Sequence, residues 1–204
     1  MPARSQPLAK ARRVFQEHEG ILRTSEALRR GIHPRTLYEL RDRGEIERVG
    51  RGLYRLASAP PLTSPDLVTV ALRAPLGVVC LISALSHHDL TTQIPHAIDL
   101  ALPSHAQAPR MESIPLRIFW YSEAPYRAGI ETFTIDRVSV KMYSPEKTIA
   151  DCFKYRNKIG LDVAVEALRA YKEKKRKPDL KALTTFAQID RVMRVLRPYL
   201  EAIF

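Results

Sequence analysis

Apolar positions at the start of the chain recur at helical spacing. Leu8, Ala11, Val14 and Phe15 share one face, so residues 8–18 predict an amphipathic helix that Gly20 ends. Thr24 then offers an N-cap for a short helix over 25–30, closed by Gly31. Pro34 has no N–H to leave unsatisfied and starts a third helix over 34–43, with Leu37 and Leu40 inward and Gly44 as its stop. Residues 46–49 and 53–56 read as short strands around a Gly50-Arg51-Gly52 turn. Three short helices followed by a two-stranded hairpin is the order of a winged helix-turn-helix.

Three prolines in 57–65 (ASAPPLTSP) mark a linker. Beyond it, 66–73 reads as helix and 78–82 as either a buried strand or the start of a helix running through Leu85. Strands are expected over 97–102 and 116–121, and a hairpin over 131–135 and 138–142 with Asp136-Arg137 at its turn. From Ser144 the pattern turns helical. Ser144-Pro145-Glu146-Lys147 is a helix start whose capping box is incomplete, because Lys147 stands where Glu would reach back. Further helices are expected over 161–174, 179–186 and from Asp190 onward. The fold class expected is therefore α+β: a winged helix-turn-helix over 1–57, a linker over 58–65, and a mixed α/β domain over 66–204 with its helices last.

Charge sharpens the picture. Residues 1–56 carry 13 Lys+Arg against 7 Asp+Glu, residues 57–140 carry 5 against 7, and residues 141–204 carry 15 against 8. A basic head on a helix-turn-helix pattern points to nucleic acid. In that arrangement the third helix enters the major groove. Arg35 is then the candidate for a bidentate contact to guanine. Thr36 is a candidate for a phosphate or a thymine methyl and Tyr38 for a phosphate, and Arg41 lies on the same outward side, within reach of Glu45. Arg51, between two glycines, is placed to reach the minor groove, while Arg23 and Arg48 are candidate phosphate contacts.

The hydrophobic fraction of 45% and mean hydropathy of −0.22 fit a globular chain, and the apolar run around 77–83 is too short for a membrane span. No signal peptide is read at the N-terminus, and Cys80 and Cys152, far apart in apolar surroundings, are expected to be buried and reduced, as in the cytoplasm. No nucleotide-binding glycine loop, GxSxG or CxxC occurs. His87-His88-Asp89 is a poor metal site, since adjacent helical histidines diverge by about 100°. Asp99 and Asp136 with Lys141 lack the acid-x-lysine spacing of a nuclease, with Ser139 where the acid belongs. No catalytic residue, metal or cofactor is expected.

Several stretches carry a family resemblance: GILRTSEAL at 20–28 through Gly31, RTLYEL at 35–40, GEIERV at 44–49 and GRGLY at 50–54. Together they resemble the N-terminal winged domain of AbiEi-family antitoxins. LISALSHHDLT at 81–91, YSPEKTIADCFKYR at 143–156 and GLDVAVEAL at 160–168 look like the family's C-terminal domain. The resemblance implies a type IV toxin–antitoxin regulator. Its winged domain would repress its own operon at inverted repeats, as a monomer or a dimer on DNA. Its C-terminal domain would counter a nucleotidyltransferase-like toxin without a stable complex. Lys154, Arg156, Lys158 and the run 172–177 are candidates for that domain's functional surface. Two other readings stay open: a stand-alone winged-helix regulator with a dimerising or ligand-sensing C-terminal domain, and a DNA-targeted enzyme with a site assembled from dispersed residues.

Overall fold

A computed structural model describes residues 5–111 and 113–204, and the chain forms two compact units. The first runs to Leu72 and also includes residues 135–138; the second comprises 73–134 and 139–204.

In the first unit the helices are α1 (Ser5–Glu17), α2 (Thr24–Arg29) and α3 (Pro34–Asp42), and the strands are β1 (Ile21–Arg23), β2 (Ile46–Gly50) and β3 (Leu53–Leu56). A further helix, α4 (Pro65–Arg73), follows. The strands form an antiparallel sheet in the order β1-β3-β2. Alternation along the strands gives the sheet two buried faces. Ile46, Leu22, Tyr54 and Leu56 pack with Leu8, Phe15, Leu37 and Leu40 of the helices. Ile21 and Leu53, on the other face, pack with Val68 of α4, and Val49, Leu62, Leu72, Ile135 and Val138 close around them. The helix α4, expected in the second domain, thus lies in the first unit as far as Leu72, because its apolar side covers the rear of this sheet.

The second unit is built on a five-stranded sheet. Its strands are β4 (Val78–Val79), β5 (Ile98–Pro103), β6 (Leu116–Tyr121), β7 (Ile130–Ile135) and β8 (Val138–Tyr143), in the order β6-β5-β4-β8-β7. The sheet is mixed: β5 pairs antiparallel with β4 and parallel with β6, and β4 pairs parallel with β8. The helices are α5 (Leu81–His87), α6 (Glu123–Arg127), α7 (Pro145–Lys154), α8 (Arg156–Ile159), α9 (Leu161–Lys174), α10 (Leu180–Ile189) and α11 (Met193–Ile203). The molecule is therefore α+β, with helices at both ends of the chain. No helix among the described residues is long and apolar enough to cross a membrane. Both cysteines are buried and free.

At the centre of the second unit, α7 is buried from Lys147 to Phe153, polar side chains included. Ser144 caps it, its Oγ accepting from Lys147 N at 3.2 Å. The Lys147 side chain is itself fully buried. Its ammonium donates to Asp151 Oδ1 and, at 3.0 Å, to Asp190 Oδ2, with the Tyr143 ring centroid 4.7 Å away. Backbone must approach closely to let this lysine in. A Cβ on Gly129, whose φ is +69°, would stand 2.6 Å from Lys147 Cβ. Burial pushes the Asp151 carboxyl well above the usual carboxylate range, Lys147 pulls it back, and Asp190 pushes it up again.

Removing one partner of a buried cluster strands the others. Lys147→Met is expected to destabilise the second unit by about 3–5 kcal/mol in denaturant unfolding. Lys154→Met, whose partly exposed ammonium lies 3.5 Å from Asp190, should cost under about 1 kcal/mol. The pH dependence follows from the raised Asp151 carboxyl. The folded state holds that proton more tightly than the unfolded state, so its stability contribution is full at low pH and declines as pH rises above about 4. Asp151→Asn should therefore gain on the wild type as pH rises, and a gain by the wild type would contradict this.

Candidate nucleic-acid interface

The helix α3 is fixed at both ends by its own sequence. His33 is extended, its Nδ1 accepts from Arg35 N at 3.2 Å, and Pro34 takes the first helical position. At the other end Gly44, at φ +70°, lets Glu45 N reach back to Leu40 O at 2.9 Å. Leu37 and Leu40 anchor the inner face. On the outer side Arg35, Tyr38 and Arg41 are exposed, Tyr38 by 47%. The Arg41 guanidinium lies 5.1 Å from the Tyr38 ring centroid and donates to Asp42 Oδ1 at 2.9 and 2.7 Å. That carboxylate holds the Arg41 guanidinium above its usual range, with Tyr54 a minor contributor.

Two expectations on this helix are corrected. Thr36 is only 9% exposed, because it precedes Leu40 by one helical turn and shares its inward face. Arg41 does not pair with Glu45, which is taken by Arg12 of α1, with Nη2 to Oε1 at 2.9 Å.

The other candidates lie on the small sheet. Arg48 is exposed on β2 and donates from Nε to Gly50 O at 3.2 Å, beside the register shift between Arg48 and Gly50. Arg51 is exposed in the β2–β3 turn, which Gly52 makes at φ +68°. Arg23, half-buried, ends β1 opposite Leu53, and the next residue's N–H donates to Gly52 O at 2.8 Å. Arg23 and the β2–β3 turn are therefore neighbours in the sheet. The candidates fall into an α3 group of Arg35, Tyr38 and Arg41 and a hairpin group of Arg23, Arg48 and Arg51.

Much of the basic charge of this unit is spent internally. Arg43 pairs with Glu39, Arg30 with Glu26 and Arg13 with Glu17, each one turn apart on a helix. Arg55, unremarked in the sequence, is 8% exposed and bonds Glu47 and the carbonyls of Ala59 and Pro60. Among the described residues the Arg35 side chain makes no ion pair, so its donors are available.

In the second unit the candidate lysines and arginines are largely engaged with their own chain. Lys154 reaches Asp190, Lys158 lies 5.7 Å from the Phe119 and Tyr155 rings, and Arg156 donates to Phe153 O at 2.9 Å. Lys172 and Lys174 donate to Ile203 O and Asp89 O. His88 Nε2 lies 2.8 Å from Tyr143 O. Burial lowers the titration range of His88, against the pull of that carbonyl, and burial lowers that of His87 as well. Among the described residues no group of three or more His, Cys, Asp or Glu is placed to hold a metal. Asp99 is fully buried and takes both Arg117 Nε at 2.6 Å and Ile82 N at 3.0 Å, whereas Asp136 belongs to the first unit. Lys141 donates to Pro75 O at 3.0 Å.

Residues 10–57 match the family model described as transcriptional regulator, AbiEi antitoxin. The match spans α1 from Lys10 through β3, which includes every candidate DNA contact of the first unit. No curated protein matches the chain. Among solved structures, the RV2827C protein from Mycobacterium tuberculosis superposes with a TM-score of 0.56 at 11% identity. That superposition covers 98% of this chain and 82% of the other, a likeness of fold. An antigenic nucleotidyltransferase-like protein from Paracoccidioides brasiliensis aligns at 16% identity over 71% of this chain and 99% of the other. Its TM-score is 0.34.

The cap of α3 is open to test. Aspartate is a better N-cap than histidine and its charge suits a helix N-terminus, so His33→Asp should raise the first unit's stability by about 0.5–1 kcal/mol in thermal unfolding. His33→Ala should lower it. If Ala matched the wild type, the Nδ1 bond would not be contributing.

Proposed function

We propose that the chain is a transcriptional regulator whose first unit is a winged helix-turn-helix that binds double-stranded DNA in a sequence-specific way. The observation that carries this reading is the outer side of α3, where an available arginine and an exposed tyrosine stand on a helix capped at both ends. In the DNA-bound state α3 occupies the major groove, with Arg35 on a guanine edge and Tyr38 and Arg41 on the backbone. The β2–β3 hairpin is the wing. Arg51 at its tip approaches the minor groove, while Arg48 and Arg23 hold phosphates. Thr36, being buried, supports the helix from within.

The family match over 10–57 supports placing this regulator among the AbiEi antitoxins. On that reading the chain represses its own operon at inverted repeats. One chain offers one such unit, so two chains occupy one repeat pair. The second unit counters a nucleotidyltransferase-like toxin without a stable complex.

The test is a binding titration against the DNA upstream of the chain's own gene, at two salt concentrations with random duplex as competitor. Arg35→Ala should weaken binding to the preferred site by about 1–3 kcal/mol and leave random duplex nearly unchanged. Arg48→Ala should weaken both and lower the salt slope by about one unit. Equal loss on both duplexes from Arg35→Ala would remove α3 as the reading element. For the antitoxin role, co-expression with a neighbouring nucleotidyltransferase-like gene should relieve its toxicity.

A further inference from the structure

We infer that the turn of the β7–β8 hairpin positions the β2–β3 hairpin for DNA, acting through α4. This rests on the DNA-binding reading above and adds a positioning residue, Asp136, to it.

The turn is contributed by sequence more than sixty residues beyond α4, yet it belongs to the first unit. Asp136 and Arg137 both adopt left-handed backbone, at φ +48° and +66°, which reverses the chain tightly. The reversal brings Ile135 and Val138 into the cluster of Ile21, Leu53 and Val68 behind the small sheet. The Asp136 carboxylate then sits at the start of α4. Its Oδ1 accepts from Thr63 N at 3.0 Å and Thr63 Oγ1 at 2.8 Å, and its Oδ2 from Ser64 N at 2.9 Å. Those N–H groups precede Pro65 and would otherwise lack intrahelical partners, and the negative charge suits that helix end. Arg137 adds an ion pair to Glu19, in the turn before β1, at 3.3 Å.

The helix so anchored bears on the hairpin proposed as the wing. Val68 and Thr69 of α4 are buried, and a Cβ added to Gly50 would come within 3.3 Å of Thr69 Cγ2. Gly50 directly precedes Arg51. A two-stranded hairpin is marginally stable in water, and an arginine on a mobile tip loses freedom when it binds. With α4 locked behind it, the tip is ordered before DNA arrives. The chain of packed groups runs from Asp136 to the α4 N-terminus, to Thr69 and Gly50, and so to Arg51.

A packed route becomes a functional one only when coupling is measured. The experiment uses the full-length protein and a fluorescein-labelled duplex of the region upstream of its own gene, read by anisotropy. In the wild-type background Arg51→Ala should weaken binding about five- to tenfold. In the Asp136→Ala background the same change should weaken it less than about twofold. Arg35→Ala should cost the same factor in both backgrounds, a contrast that general loss of stability would not produce. Asp136→Asn tolerates left-handed backbone and keeps an acceptor for Thr63 but loses the one for Ser64 N, so it should restore part of the Arg51→Ala effect, leaving it between the Asp136→Ala and wild-type values. Should Asp136→Ala fail to fold, Gly50→Ala disturbs the same contact from the hairpin side and takes its place in the cycle. An undiminished Arg51 effect in the Asp136→Ala background, or in the Gly50→Ala background that replaces it, overturns the inference, as does an Arg51→Ala variant that binds like wild type while Arg35→Ala is impaired. If Arg35→Ala also binds like wild type, the DNA-binding reading itself has failed.

Discussion

The second unit depends on one lysine held in its interior. Lys147 lies between Asp151, one turn along its own helix, and Asp190, at the C-terminal end of α10. Desolvating an ammonium and two carboxylates costs several kcal/mol per ion, and their mutual attraction offsets that only in good geometry. The sequence around Lys147 supplies that geometry. Ser144 caps the helix, Pro145 starts it, and Gly129 leaves the gap through which the lysine side chain passes. Thr148 donates to Tyr143 O and Tyr171 donates to Glu146, so the polar positions of SPEKTIAD that face inward are spent on the interior. Such a network specifies how α7 and α10 meet more than it stabilises them, since an apolar pair in place of the ions could hold the helices as well.

The first unit solves a different problem. A three-stranded sheet with one face on three helices would leave its other face wet. Here α4 and the β7–β8 turn cover that face. The cover is why the compact unit runs past the proline-rich stretch to Leu72 and recruits residues 135–138. Arg55 contributes from the same side of the sheet as Leu53, holding the carbonyls of Ala59 and Pro60 as the chain leaves β3. The proline-rich segment is therefore tied to the sheet as well as connecting what lies on either side.

What could be read from the sequence was what local chemistry decides. Pro34 and Gly44 delimit α3 because each imposes a backbone state on its own residue, and β6 falls at 116–121 as its apolar pattern predicts. The two-residue turn at Asp136-Arg137 was legible for the same reason. What escaped depends on distant partners. The strand β1 is three residues long and exists by pairing with β3, which no local pattern announces. Lys147 reads as a failed capping box until Asp190, 43 residues away, is seen to take its ammonium. Asp136 gave no sign of holding Thr63, 73 residues before it, at the start of α4. Thr36 was misread for a narrower reason. Helical spacing placed Leu37 and Leu40 correctly, but the buried stripe is one residue wider than those two leucines define.

Charge invites the same distinction between local and distant. The head of the chain carries a clear excess of arginine, and a count alone would treat every one as attraction for phosphate. The geometry divides them. Arg12, Arg13, Arg30 and Arg43 each face a glutamate, and Arg55 is buried on Glu47. An arginine already paired must give up its partner to reach a phosphate, which reduces what the new contact contributes. Among the described residues Arg35 has no ion-pair partner to surrender, and it stands in the first turn of α3, the end that would meet base edges in the proposed binding mode. The recognition assigned to this unit therefore rests on a few side chains held at set positions. Their placement depends on Pro34, Gly44 and the covered sheet more than on the size of the net charge.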